Sequence, residues 1–218
     1  MNRFRTIRAT EVFLIVLTLV FIGMVVLMLG LAQDYLYGEF TQFNEITEYL
    51  VQSTIFISWM KLFNVFQSPY SVCVVIAITI VRIWRRGKNR MLEYLLLIVS
   101  ILGARIFHET IMQIFHTLQS IGFVGKFHSA NFPDINSTFM IIAYGTTIFL
   151  LVRHSKNNYS PILIPILGLV ILIGLAIVKI ASNALLPSDI VGGYVYGGVW
   201  IFFNFLLFEM FRLVVQKD

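Results

Sequence analysis

Residues 11–32 read EVFLIVLTLVFIGMVVLMLGLA, a run whose only charge, Glu11, sits at its edge. A helix rises 1.5 Å per residue, so about 20 apolar residues cross the roughly 30 Å of a bilayer's hydrocarbon. This run is long enough. Further apolar stretches occupy 91–113, 138–153, 161–180 and 189–214. A sixth, short if read from Tyr70 to Ile83 alone, extends upstream to give 55–83. The expectation is an all-α integral membrane protein, a six-helix bundle forming one domain over 1–218.

Composition points the same way. The chain is 58% hydrophobic and 12% charged, against about 45–50% and about 25% for soluble domains. Arg3, Arg5 and Arg8 ahead of the first run imitate a signal peptide. A secretory apolar region is only about 7–15 residues, so an uncleaved first span is expected. Cys73 is the only cysteine, which excludes an internal disulfide and a cysteine-based zinc site.

The formal net charge is +5, but its placement excludes a nucleic-acid surface. Arg3, Arg5, Arg8, Arg82, Arg85, Arg86, Lys88, Arg90, Arg153, Lys156, Arg212 and Lys217 would share one side of a six-pass chain. Lys61, Arg105, Lys126 and Lys179 are left to the other side or the nearby membrane. Cytoplasmic loops collect Lys and Arg. Both termini are therefore expected in the cytoplasm, and the location to be a plasma membrane of bacterial type, crossed several times.

After the first span, Phe40, Phe43, Thr47, Leu50 and Val51 recur at helical spacing, with Glu39, Gln42, Glu45, Glu48 and Gln52 largely opposite. That pattern suits an amphipathic interfacial segment or a tilted extension of the second span.

An ionisable group in a span is costly and marks a candidate site. Arg105, His108, Glu109 and His116 lie where the third span emerges; Lys126, His128 and Asp134 follow in the next loop. Lys179 ends the fifth span and Asp189 opens the sixth. Each has a plainer reading. Arg105 and Glu109, four apart, form a helix-surface pair. The histidines are interfacial polar groups, and Lys179 snorkels to the interface. Asp189 acts as an N-cap or first-turn acid. Gly193 and Gly197 form a small-xxx-small pattern suited to close helix packing.

Residues 185–197, LLPSDIVGGYVYG, resemble the last signature of the type 2 phosphatidic acid phosphatase family, HYPSDVLAGYALG. The six-span layout, the amphipathic segment and the basic loop before the third span are similar too. The resemblance implies a site on the outer face. There a histidine would attack phosphorus, an Asp would orient it, Lys and Arg would hold phosphate, and a second histidine would protonate the leaving alcohol. Carried over, the orienting acid is Asp189, whereas the nucleophile falls on Leu185. The phosphate-holding Arg falls on Lys179, which keeps the charge but loses the bidentate fork. Asn131-Phe132-Pro133-Asp134-Ile135-Asn136 is similar to the middle signature SFPSGH, with Asn136 at the general-acid position. The first signature, a Lys seven residues before Arg-Pro, would start at Glu109 or Met112, placing His116 or Gln119 at the Arg.

Without nucleophile, general acid and main clamp, family catalysis should be lost. The expectation is a non-catalytic protein on a lipid-phosphatase scaffold, needing no cofactor or metal. It would bind membrane lipids or a membrane-protein partner in envelope-lipid or cell-wall precursor metabolism. Its pocket candidates are Lys179, Asp189, Asn136, Asp134, Arg105, His108, His116, Lys126 and His128. Two alternatives stand beside it: a phosphatase using relocated histidines, and a transporter, suggested by Pro161 and Pro165 at the fifth span and frequent Gly in the sixth.

Overall fold

Hydrocarbon offers backbone amides and carbonyls no water, so an apolar chain satisfies them inside helices. The computed structural model describes residues 2–52, 63, 65–66, 68–86, 90–121, 131–155 and 159–215. Among these it has seven helices and no strand. They are α1 (Asn2–Tyr37), α2 (Thr41–Gln52), α3 (Pro69–Arg86), α4 (Arg90–Ser120), α5 (Ile135–Arg153), α6 (Ser160–Ala181) and α7 (Pro187–Val215).

Among the described residues, five helices are long and apolar enough to cross a membrane: Glu11–Tyr37, Arg90–Leu118, Ile135–Arg153, Ser160–Ala181 and Pro187–Val214. The chain is therefore an all-helical protein of multi-pass membrane type. The sixth expected span, 55–83, is not among them. Residues 53–62 lie outside the described set, and the span's described end, α3, begins only at Pro69 and finishes in Arg82, Arg85 and Arg86. Proline lacks an amide hydrogen and pushes the preceding residue out of the helical region. Here Ser68 takes that bend. Its hydroxyl accepts from the Tyr70 amide at 3.3 Å, while Ser71 Oγ donates to the Ser68 carbonyl at 2.6 Å. The Phe66 carbonyl, freed by the break, accepts from Ser71 Oγ (2.9 Å) and from the Tyr144 hydroxyl of α5 (3.0 Å).

Helix α5 packs against α3, α4, α6 and α7, and α7 also takes α1 and α2. About half of the most apolar stretch of α5 and of α7 is buried within the protein (50% and 56%), against 6% for α1, so α1 is the least covered of the five by the rest of the chain. Ile83, Leu97, Ile142, Leu150, Ile201 and Phe205 form the main core, with the Phe149 and Phe205 rings stacked at 4.1 Å.

Between helices surrounded by lipid, close approach of small residues replaces much of the hydrophobic drive. A Cβ on Gly193 would stand 2.6 Å from the Asp134 carbonyl, and one on Gly197 would stand 2.8 Å from the Thr138 carbonyl. The small-xxx-small face thus serves α7–α5 packing inside one chain.

Two helix ends turn through left-handed residues. Gly38 (φ 74) ends α1, its amide donating to Tyr35 O and the Glu39 amide to Asp34 O. Asn183 (φ 51) ends α6 in the same way, with Asn183 N bonding Ile180 O and Ala184 N bonding Lys179 O. This pairing satisfies the last carbonyls of a helix, and glycine and asparagine tolerate the conformation best.

The first turn sets α2 apart from α1; its expected alternative, an extension of the second span, falls on residues 53–62, outside the described set. Helix α2 lies across the ends of α6 and α7 and meets them through polar side chains: Asn44 Oδ1 accepts from the Ser188 amide at 2.9 Å, and Gln52 Nε2 donates to Asn183 Oδ1 at 3.2 Å. Phe43, Ile46, Tyr49 and Leu50 remain exposed, the orientation that suits an interfacial helix.

Candidate functional site

At the end of the bundle where α5 and α7 start and α6 stops, three side chains close on one another. Asp134 caps α5: its backbone is extended (φ −65, ψ 121), and Oδ2 accepts from the Ser137 amide at 2.8 Å. The same oxygen accepts from Ser137 Oγ at 2.6 Å and from Lys179 Nζ at 2.7 Å. Lys179 also donates to Ser137 Oγ at 3.0 Å. The Asp134 amide donates to the Asp189 carbonyl at 3.0 Å, tying the cluster to the first turn of α7.

Each charge sits where its helix favours it, a carboxylate at the start of α5 and an ammonium in the last turn of α6. Burial alone would push the Asp134 carboxyl up. Hydrogen bonds from Lys179 and Ser137, with the ammonium charge, outweigh it and hold the carboxyl below its ordinary value. Lys179 is 7% exposed, Asp134 4%, Asp189 1% and Ser137 0%. Lys179, read from the sequence either as a snorkelling residue or as a pocket cation, is buried in an ion pair, because the fold brings Asp134 within its reach.

An aromatic layer covers the cluster. Phe132 is buried and stacks on Tyr35 of α1 at 4.2 Å; its edge meets Tyr196 of α7 at 6.0 Å, and Phe115 of α4 lies 6.1 Å away. A Cβ on Gly192 would collide with the Phe132 ring.

The other predicted residues separate. Arg105 pairs with Glu109 at 2.9 Å on the outside of α4, its side chain 78% exposed, which is the helix-surface reading. His116 and Asn136 are exposed, and Leu185 is half-buried. Lys126 and His128 lie outside the described residues. His108 is buried, and its Nδ1 has no hydrogen-bond partner among the described residues.

A second polar centre at the opposite end was not anticipated. Glu93 of α4 and Glu209 of α7 are 1% and 2% exposed. Arg153, at the end of α5, reaches both: Nη1 lies 2.7 Å from Glu209 Oε1 and Nε 3.4 Å from Glu93 Oε1. Arg212 Nη2 lies 2.7 Å from Glu209 Oε2. His154 Nε2 stands 3.0 Å from Glu93 Oε2, outside hydrogen-bonding alignment. The Arg153 guanidinium also rests over the Phe208 ring at 4.8 Å. In the sequence Arg153 and Arg212 register only as topology signals. The available clue was two carboxylates, Glu93 and Glu209, set among apolar residues of their spans.

Set against known proteins, the chain matches no family model, no curated protein and no solved structure. The phosphatase resemblance therefore stands on its quoted motifs.

Proposed function

We propose that this chain is a non-catalytic membrane protein on a lipid-phosphatase-like scaffold, acting as a lipid-binding or partner subunit in envelope-lipid or cell-wall precursor metabolism. In this reading it crosses a bacterial plasma membrane six times with both termini in the cytoplasm, the arrangement its Lys and Arg distribution favours. One observation carries the functional part: Lys179, the cation left at a phosphate-holding position, is bonded to Asp134 at 2.7 Å with both side chains buried. An ammonium neutralised in this way offers little to a phosphate dianion, and Leu185 offers no nucleophile.

A cavity of about 240 Å³ beside the cluster supports the lipid-binding part. It is lined by Tyr35, Phe40, Asn44, Glu45, Glu48 and Ser188 among others. Its carboxylates repel phosphate and favour a neutral or amine-bearing headgroup.

The test is turnover in detergent. Purified protein is expected to release no inorganic phosphate from phosphatidate or undecaprenyl diphosphate. Activity that disappears in Asp189→Ala would overturn the proposal. A second reading, a phosphatase with relocated histidine chemistry, is favoured by the buried His108 Nδ1, which has no partner among the described residues. Its signature is turnover lost in His108→Ala, with a covalent phosphoryl group on His108.

A further inference from the structure

Helix α3 has two faces of opposite fate. Val72, Thr79 and Ile83 are buried, and Thr79 Oγ1 reaches Thr147 Oγ1 of α5 at 3.2 Å. Val74, Ala77, Ile78, Val81, Arg82 and Arg85 recur at three- and four-residue steps and line a groove of about 490 Å³. Val74, Ile78 and Val81 are 57%, 54% and 45% exposed. The stripe is aliphatic toward the Pro69 end and carries two guanidinium groups at the other.

Those guanidinium groups differ from their neighbours. Arg153 and Arg212, at the same end of the bundle, are paired with Glu93 and Glu209. Neither Arg82 nor Arg85 has an ion pair or hydrogen bond among the described residues, and Arg82 Nε is buried without a partner. The acid inventory offers little relief. Of the 11 Asp and Glu residues, all but Asp218 are described, and none pairs with either arginine. Two guanidinium groups at one end of an apolar stripe, with no carboxylate partner among the described residues, call for an anion from outside the chain.

We propose that the α3 groove is a binding site for an anionic phospholipid. Its phosphate sits between Arg82 and Arg85, and an acyl chain lies along Val81, Ile78, Ala77 and Val74. From Val74 to Arg82 is about 12 Å of helix at 1.5 Å per residue, close to the half-thickness of roughly 15 Å that one leaflet provides. Charge and depth thus match one occupant: head at the helix end, chain toward the bilayer centre. Arginine suits the role because its fork holds phosphate bidentately. The site is separate from the Asp134–Lys179 cluster and stands or falls independently of the phosphatase-like reading.

The experiment uses full-length protein in mild detergent, with bound lipid read by native mass spectrometry and stability read by thermal unfolding. The probes are dioleoylphosphatidylglycerol, dioleoylphosphatidylcholine and inorganic phosphate. Wild type is expected to prefer the glycerol lipid by roughly 30-fold, the effect of two arginines at an anionic headgroup. Arg82→Gln/Arg85→Gln should abolish that preference, and Arg82→Lys/Arg85→Lys should keep part of it. Arg105→Gln, which removes one positive charge elsewhere, should leave it intact. Equal binding of the two lipids by wild type overturns the proposal, as does a preference that survives the double Gln variant. Stabilisation by inorganic phosphate equal to that by the lipid also overturns it, since the groove would then contribute nothing. Should the Gln variant fold poorly, the Lys variant carries the test: a reduced preference supports the site, and one unchanged from wild type overturns the bidentate arrangement.

Discussion

The two ends of this bundle bury charge in different ways. At the Asp134 end, one carboxylate meets one ammonium and a hydroxyl, under a layer of aromatic rings. At the Glu93 end, two carboxylates meet two guanidinium groups and an imidazole, spread over α4, α5 and α7. The first is largely a helix cap with one long-range partner. The second is a clamp that three helices must assemble together. Removing one member should therefore be felt more widely at the Glu93 end, where a single carboxylate serves two arginines.

The largest expected effect follows from that. Glu209→Leu takes a carboxylate from both Arg153 and Arg212 and should destabilise the fold by about 3–5 kcal/mol, the range for breaking a buried pair. Thermal unfolding in detergent measures it; a loss below about 1 kcal/mol would mean that the network is not assembled in solution.

Lys179→Met comes next. It leaves Asp134 buried but still bonded to Ser137, so the expected loss is about 3 kcal/mol, at the lower end of the same range. Asp134→Asn/Lys179→Met should cost clearly less than the two single changes summed, which a double-mutant cycle reads directly.

Acid sharpens the comparison. The folded-state pKa of Asp134 lies below its unfolded value, so its stabilisation is complete above the ordinary carboxylate range and is lost as pH falls through the lowered value. The acid limb of a stability profile should therefore shrink in Lys179→Met, where the main cause of the lowering is gone and the gap between folded and unfolded values closes. An unchanged limb would show that Asp134 does not govern it.

Gly197→Ala probes the α5–α7 seam beside the Asp134 cluster. Its new methyl meets the Thr138 carbonyl at 2.8 Å and the Ile141 side chain, so a loss of about 1–3 kcal/mol is expected. Smallest of all is Arg105→Gln. Its exposed pair with Glu109 should change stability by less than about 0.5 kcal/mol.

Some of this was legible in the primary structure and some was not. The apolar runs pointed to the helices, since hydropathy over 20 residues needs no knowledge of neighbours. The Arg105–Glu109 pair was legible for the same reason, being four residues apart on one helix. The second span was harder to read, because Pro69 interrupts it and three arginines end it. The two readings of Lys179 stayed open in the sequence because an interfacial lysine and a paired one look alike until the partner, 45 residues away, is in place.

What the sequence alone determined is the solvent: the length of its apolar runs commits the chain to lipid, and its polar segments to the ends of those runs. Tertiary structure decided which charges meet. Glu93, Arg153 and Glu209 come together because α4, α5 and α7 pack side by side, and in a low-dielectric interior a few ångströms separate a stabilising contact from a costly orphan. That distance is set by packing, to which no local pattern along the chain is sensitive.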